Sequence, residues 1–233
     1  MKKMRNIPLE RFNESFLSNC LIKADSTLLP EFPPNYPHPA IWEKANGIKA
    51  KEIIKLWQKS FILNKNVKLS VYTHVPFCKY ICKFCGFYKK VPQEGEIDTY
   101  LNFLEKEVKL FDGIFRYYLV RWLYFGGGTP SMLSKKQLIK LFSIFKQNFK
   151  IDDQTPILIE ATPESLTYRK VEFLKEIGVS FLAIGIQNLD CNLMRSYNRF
   201  QTRQQCFRAI ENAKKVGIEN IGVYFILRLP GED

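Results

Sequence analysis

From residue 68 onward, short apolar runs alternate with longer amphipathic stretches, and this alternation limits the fold more than any other feature of the chain. The runs at 69–74, 120–125, 156–160, 181–186 and 220–227 have the length and composition of strands. Between them, 96–117, 135–149, 163–177 and 202–216 carry apolar residues at helical spacing. That order predicts an α/β fold of parallel strands joined by right-handed crossovers, with helices outside. Ser134 stands where a helix N-cap belongs, and Thr162-Pro163-Glu164 predicts the opening of the third helix, with proline in its first turn. In folds of this class the chemistry collects at the C-terminal ends of the strands.

Residues 1–67 lack the alternation and read as a helical, proline-rich extension ahead of a core at 68–233. Leu9, Phe12, Phe16, Leu17, Cys20 and Leu21 fall at helical spacing. Pro30, Pro33, Pro34, Pro37 and Pro39 then predict an irregular segment, with His38 as a loop residue inside it. Ile53, Ile54, Leu56 and Trp57 suggest a second helix. The start, Met1-Lys2-Lys3-Met4-Arg5-Asn6, leads into an amphipathic stretch rather than a signal sequence. No apolar run reaches the ~18 residues of a membrane span. A cytoplasmic protein with no membrane span is expected. The net charge of +12 comes from lysines spread along the chain without a dense block. It reads as a solvated basic surface, and no nucleic-acid partner is expected.

Six cysteines are present. Cys20, Cys191 and Cys206 are scattered and read as small apolar residues. The other three form Cys78-x3-Cys82-x2-Cys85, just past the first core strand. Three thiolates on one tight loop can hold three corners of a four-iron cube and leave the fourth iron open to a small molecule. The alternative is zinc, with His74 completing a Cys3His set, although no second ligand pair of the zinc-ribbon kind follows. After the second strand comes Gly126-Gly127-Gly128-Thr129-Pro130. Glycines let a backbone approach a ligand closely, but without a Gly-Lys-Ser/Thr ending this is not a phosphate loop.

The run Tyr72-x-His74-x-Pro76-Phe77-Cys78-x3-Cys82-x-Phe84-Cys85-Gly86 resembles the radical S-adenosylmethionine (SAM) superfamily. More narrowly, it resembles the group of oxygen-independent coproporphyrinogen III dehydrogenase and its relatives, from about Leu69 to the C-terminus. The resemblance implies a partial (βα)6-type radical SAM barrel, here cut short after the fifth strand, with a fifth helix, sixth strand and cover domain missing. It implies a [4Fe–4S] cluster on Cys78, Cys82 and Cys85, and SAM as the second cofactor. Tyr72, the candidate catalytic residue, would lie beside the sulfonium. Phe84 and Gly86 would frame the adenine. Gly127, Gly128 and Thr129 would meet the amino group. Glu160, at the end of the third strand, would face SAM and pair with a basic residue. Gln187 would contact SAM, and Arg199 would bind its carboxylate.

Two positions depart from the pattern. Tyr224 stands where close relatives carry the ribose-binding Asp, and Arg228 stands where they carry Gly. The subgroup is read from Cys85-Gly86-Phe87-Tyr88. The dehydrogenase has a further Cys at the Phe87 position, and haem-trafficking relatives have an acid at the Gly86 position. The run looks most like the anaerobic haem-degrading radical SAM methyltransferases. The resemblance thus implies a tetrapyrrole substrate and a flavodoxin- or ferredoxin-like electron donor. A haem carrier, the dehydrogenase itself and an inactive copy remain the alternatives.

Overall fold

A computed structural model describes residues 68–111 and 115–232, with isolated positions 52, 55, 56 and 59 before them. The extension read at 1–67, Cys20 and His38 included, lies outside the described residues. Glu52, Lys55, Leu56 and Lys59 are the exceptions, and they are helical and exposed.

Five parallel strands form one sheet in the order β1-β2-β3-β4-β5: Leu69–Val75, Val120–Gly127, Ile157–Ala161, Phe181–Gln187 and Asn220–Phe225. Each strand pairs with its neighbour in sequence, so every connection crosses over the sheet. The connections carry α1 (Glu96–Leu110), α2 (Lys135–Asn148), α3 (Tyr168–Glu176), α4 (Cys191–Ser196) and α5 (Arg203–Val216). α1 lies beside α2, and α3 beside α5.

The side-chain period of two separates a structural face from a chemical one. Leu123, Phe125, Ile157, Ile159, Leu182, Ile184 and Ile186 share one face and are all buried in the main core. Phe125 meets Phe142 and Phe145 of α2, with ring centroids 4.8 and 5.4 Å apart. Burying each such side chain stabilises the fold by about 1.5–3 kcal/mol. The intervening positions include Tyr72, His74, Tyr124, Glu160, Gly185 and Tyr224, none of them fully buried, beside the buried Leu158 and Ala183. Residues of that kind have no place under a helix, so the second face is left for a site.

Three details differ from the sequence expectation. The third helix begins at Tyr168 rather than 163. Thr162, Pro163 and Ser165 close a separate 3-10 turn, and Thr167 supplies the real cap by accepting from Lys170 N. The first helix ends at Leu110, and a 3-10 turn follows at Phe115–Tyr117. The short α4 was not expected. Asp190 caps it, accepting from the amides of Asn192 and Leu193 at 2.7 and 3.0 Å. The expected Ser134 cap is present as a full capping box with Gln137.

Candidate functional site

The cysteine loop has little secondary structure of its own and is fastened from outside at three places. At its start, Gly128 N donates to Val75 O at 2.8 Å, and Thr129 N donates to Phe77 O at 2.7 Å. In its middle, Lys83 N donates to Tyr197 O at 3.0 Å, and Asn198 Nδ2 donates to Ile81 O at 2.8 Å. At its end, Cys78 N donates to Lys90 O and Lys90 N to Pro76 O. The loop is therefore clamped between the glycine run at the end of β2 and the turn after α4.

The glycine run is required by packing as well as by any ligand. A Cβ on Gly128 would lie 2.5 Å from Phe77 O, and one on Gly127 would lie 2.7 Å from the His74 ring. Gly127 also has φ +109°, a backbone conformation that side chains with a Cβ rarely adopt. Gly86 differs, since a Cβ there would meet nothing within 4 Å.

Two cysteine sulfurs already have donors. Thr129 Oγ1 lies 3.6 Å from Cys78 Sγ, and Arg199 Nη1 lies 3.7 Å from Cys82 Sγ. Arg199 is buried. Its Nε donates to Gln201 Oε1 at 2.8 Å and its Nη2 to the Gly185 carbonyl. Gln201, also buried, is locked in turn by donating to Ile186 O at 2.6 Å and Asn188 O at 3.0 Å. The guanidinium is thus aimed by the end of β4 and fixed in one pose. Burial pushes the Cys78 and Cys82 thiols up, and Thr129 and Arg199 respectively pull them back. Metal binding requires the thiolate, so any metal captured on these sulfurs would release protons.

Across the sheet, two hydrogen-bonded pairs, Tyr72–His74 and Tyr124–Glu160, meet through their tyrosine rings. His74 Nε2 lies 2.8 Å from the Tyr88 carbonyl, and only a protonated nitrogen can serve that acceptor. His74 Nδ1 is then the acceptor for Tyr72 OH at 3.0 Å. Both His74 ring nitrogens are therefore engaged within the protein. Among the described residues, no three His, Cys, Asp or Glu side chains converge on a single ion.

Glu160 accepts from Tyr124 OH and from Gly127 N at 2.9 Å. The basic partner expected for it is not found among the described residues, whose ion pairs are Lys90–Glu96 and Lys109–Glu105. Partial desolvation of a half-exposed ring, followed by the Glu160 charge, pushes Tyr72 up to about 12. Burial and Glu160 also raise Tyr124. The Tyr72 and Tyr124 rings meet edge to face at 5.2 Å.

The remaining sequence candidates lie around these two groups. The Phe84 ring packs 5.8 Å from Tyr197, while Gly86 is exposed. Gln187 closes β4 with φ +70°, an unusual conformation for a residue with a Cβ. Tyr224 pairs in register with Gly185, and Arg228 has φ +60°. Sequence reasoning missed Tyr80, Glu164, Tyr124, Asn198 and Gln201. Of these, only Tyr124 had a local signal, the alternation that sets it on the same face as Glu160.

This chain is similar to known proteins. The haem chaperone HemW of Bacillus subtilis is 35% identical over 164 residues, which is 70% of this chain and 43% of that protein. The oxygen-independent coproporphyrinogen III oxidase of Salmonella typhimurium is 32% identical over 163 residues, 70% of this chain and 36% of that one. The structure of coproporphyrinogen III oxidase (HemN) from Escherichia coli, a radical SAM enzyme, superposes with a TM-score of 0.68 at 27% identity, covering 76% of this chain and 40% of its own. The chain thus spans less than half the length of each of these relatives. No helix among the described residues is long and apolar enough to cross a membrane. The Radical SAM superfamily profile itself matches residues 72–233, from the first tyrosine of the site face to the last residue, and the chain belongs to that superfamily.

Proposed function

We propose that this chain carries the cluster and SAM site of a radical SAM enzyme acting on a tetrapyrrole. The observation that carries the reading is the fastening of the Cys78–Cys85 loop, with Arg199 and Thr129 already turned toward its sulfurs. Radical SAM proteins use a [4Fe–4S] cluster and SAM, and the donor set here fits three irons of that cluster: Cys78, Cys82 and Cys85 would hold it. When bound, the cluster supplies one electron that splits the S–C5′ bond of SAM and yields a 5′-deoxyadenosyl radical.

The chain's own residues would position that cofactor. Arg199, held by Gln201 and Gly185, keeps guanidinium N–H groups for the SAM carboxylate. Gly127, Gly128 and Thr129 would bring backbone against the amino end. Tyr72 would present its ring to the sulfonium, a favourable placement for a cation, while its hydroxyl stays tied to His74. Glu160 and Gln187 would line the site between them, and Phe84 and Gly86 would frame the adenine. Tyr224, in place of the expected Asp, offers the ribose one hydroxyl instead of a two-oxygen acceptor.

The tetrapyrrole is supported by relatives named for haem and coproporphyrinogen. Methyl transfer is the outcome that Cys85-Gly86-Phe87-Tyr88 favours, and Phe87 and Tyr88 are well exposed beside the cluster loop. The HemW relative supports a second reading, a haem carrier with little turnover. A flavodoxin- or ferredoxin-like donor would supply the electron. Anaerobic reconstitution is expected to give about four irons per chain, lost in Cys82→Ala. With SAM and a reductant, 5′-deoxyadenosine should form. Stoichiometric haem binding without that product would favour the carrier. One tightly held zinc with no iron would overturn the proposal.

A further inference from the structure

Between Cys78 and Cys82 the loop carries Tyr80, whose hydroxyl donates to Glu164 Oε1 at 2.7 Å. Glu164 sits in the 3-10 turn Pro163–Ser165 that follows β3. The Tyr80 ring packs edge-on against Phe200, with centroids 5.4 Å apart, next in sequence to Arg199. Arg199 Nη1 in turn reaches Cys82 Sγ at 3.7 Å. Two opposite charges therefore attend one cysteine. A guanidinium donates to its sulfur, and a carboxylate is tied to the loop two residues before it. The second oxygen, Glu164 Oε2, is buried and has no hydrogen-bond partner in the structure. Any charge on such a carboxylate is screened poorly by the protein around it.

We infer that Glu164 sets the electron affinity of the iron–sulfur cluster from the Cys82 side, opposing the donor that Arg199 gives to the same sulfur. The inference rests on the reading that Cys78, Cys82 and Cys85 hold the cluster. Hydrogen bonds to ligand sulfurs and positive charge favour the reduced cluster, and negative charge disfavours it. Thr129 and Arg199 push in the first direction, and Glu164 is their counterweight. It is a positioning residue that acts through Cys82, and Tyr80 both fixes its carboxylate and draws off part of its charge.

The test is a redox titration of the anaerobically reconstituted full chain, without SAM, read by the electron paramagnetic resonance of the reduced cluster. At a fixed solution potential, Glu164→Gln should raise the reduced-to-oxidised ratio about tenfold, which is about 59 mV for one electron. Glu164→Asp keeps the charge and should stay within about threefold of wild type. Tyr80→Phe keeps the charge but removes its donor, so its ratio should be unchanged or lower, the opposite direction to Glu164→Gln. A Glu164→Gln ratio within about twofold of wild type overturns the inference. So does a tenfold rise in Tyr80→Phe, because a loosened loop would then explain both. If Glu164→Gln assembles no cluster, the other two variants decide by the same limits. A wild-type chain that binds zinc and no iron overturns the cluster reading and this one together. A normal wild-type cluster with an unmoved Glu164→Gln ratio overturns this one alone.

Discussion

Replacing Gly128 by alanine is expected to damage the cluster loop from a position that bears no metal ligand. The new Cβ would lie 2.5 Å from Phe77 O and 2.8 Å from Phe77 C and N. Ordinary contact begins near 3.5 Å, so the Phe77 backbone must retreat by about 0.5–1 Å. No side chain can absorb that shift, because the obstacle is main chain. The hydrogen bonds that would have to stretch are Gly128 N to Val75 O and Thr129 N to Phe77 O. Each is worth about 0.5–1.5 kcal/mol, and overpacking adds about 1–3 kcal/mol. The combined cost is about 2–6 kcal/mol, a large share of the ~5–15 kcal/mol that holds a domain together. Phe77 adjoins Cys78, so the same displacement moves the first thiolate. Two assays read the outcome: the guanidinium unfolding midpoint, and iron per chain after anaerobic reconstitution. Both should fall in Gly128→Ala, with iron below about half of wild type. Gly86→Ala is the control, because its Cβ has open space, and it should match wild type in both assays. A Gly128→Ala protein with the wild-type midpoint and iron content would show that the clamp described here does not constrain the loop.

Two further outcomes follow from the backbone and the tyrosines. Arg228 holds φ +60°, so Arg228→Gly should raise stability by about 0.5–1 kcal/mol, and a lower thermal midpoint in that variant would contradict this. Tyr72, pushed up to about 12, lies above the usual value of about 10, so the unfolded chain loses that proton first as pH rises. Its stabilising contribution is whole below pH 10 and fades through pH 12; Tyr72→Phe should therefore lose less stability than wild type across that interval, and an equal or steeper loss would count against the partial desolvation and the Glu160 charge that raise it.

The strands were legible because one face of each is continuously apolar, as in Leu123 and Phe125 or Leu182, Ile184 and Ile186. The site was legible for the complementary reason: Tyr72, His74 and Glu160 interrupt strands where an apolar residue would pack better. Cys78, Cys82, Gly128 and Thr129 lie in the segments after β1 and β2, Gly127 ends β2, and Arg199 follows α4. The start of the third helix was misread because proline after threonine also opens a 3-10 turn, and Thr167 offered a competing cap. α4 has six residues, too few for apolar periodicity to register, although Asp190 signals it as a cap. Tyr80 and Glu164 are 84 residues apart, and nothing local to either foretells their bond. Gln201 likewise reads as an ordinary polar residue until the end of β4 brings carbonyls to it.

The clamp on the cysteine loop also sets a timetable for synthesis. Ile81 and Cys82 are held by Asn198 and Arg199, each 117 residues later in the chain. At the ~5–20 residues per second of translation, the thiols emerge about 6–23 s before their anchors exist. During that interval the loop is a free peptide with three cysteines, attractive to zinc and to oxidants. Insertion of iron and sulfide is best deferred until β4 and α4 have docked, so the order of assembly runs from protein to metal, and a nascent chain stalled before residue 198 would be a target for the wrong ion.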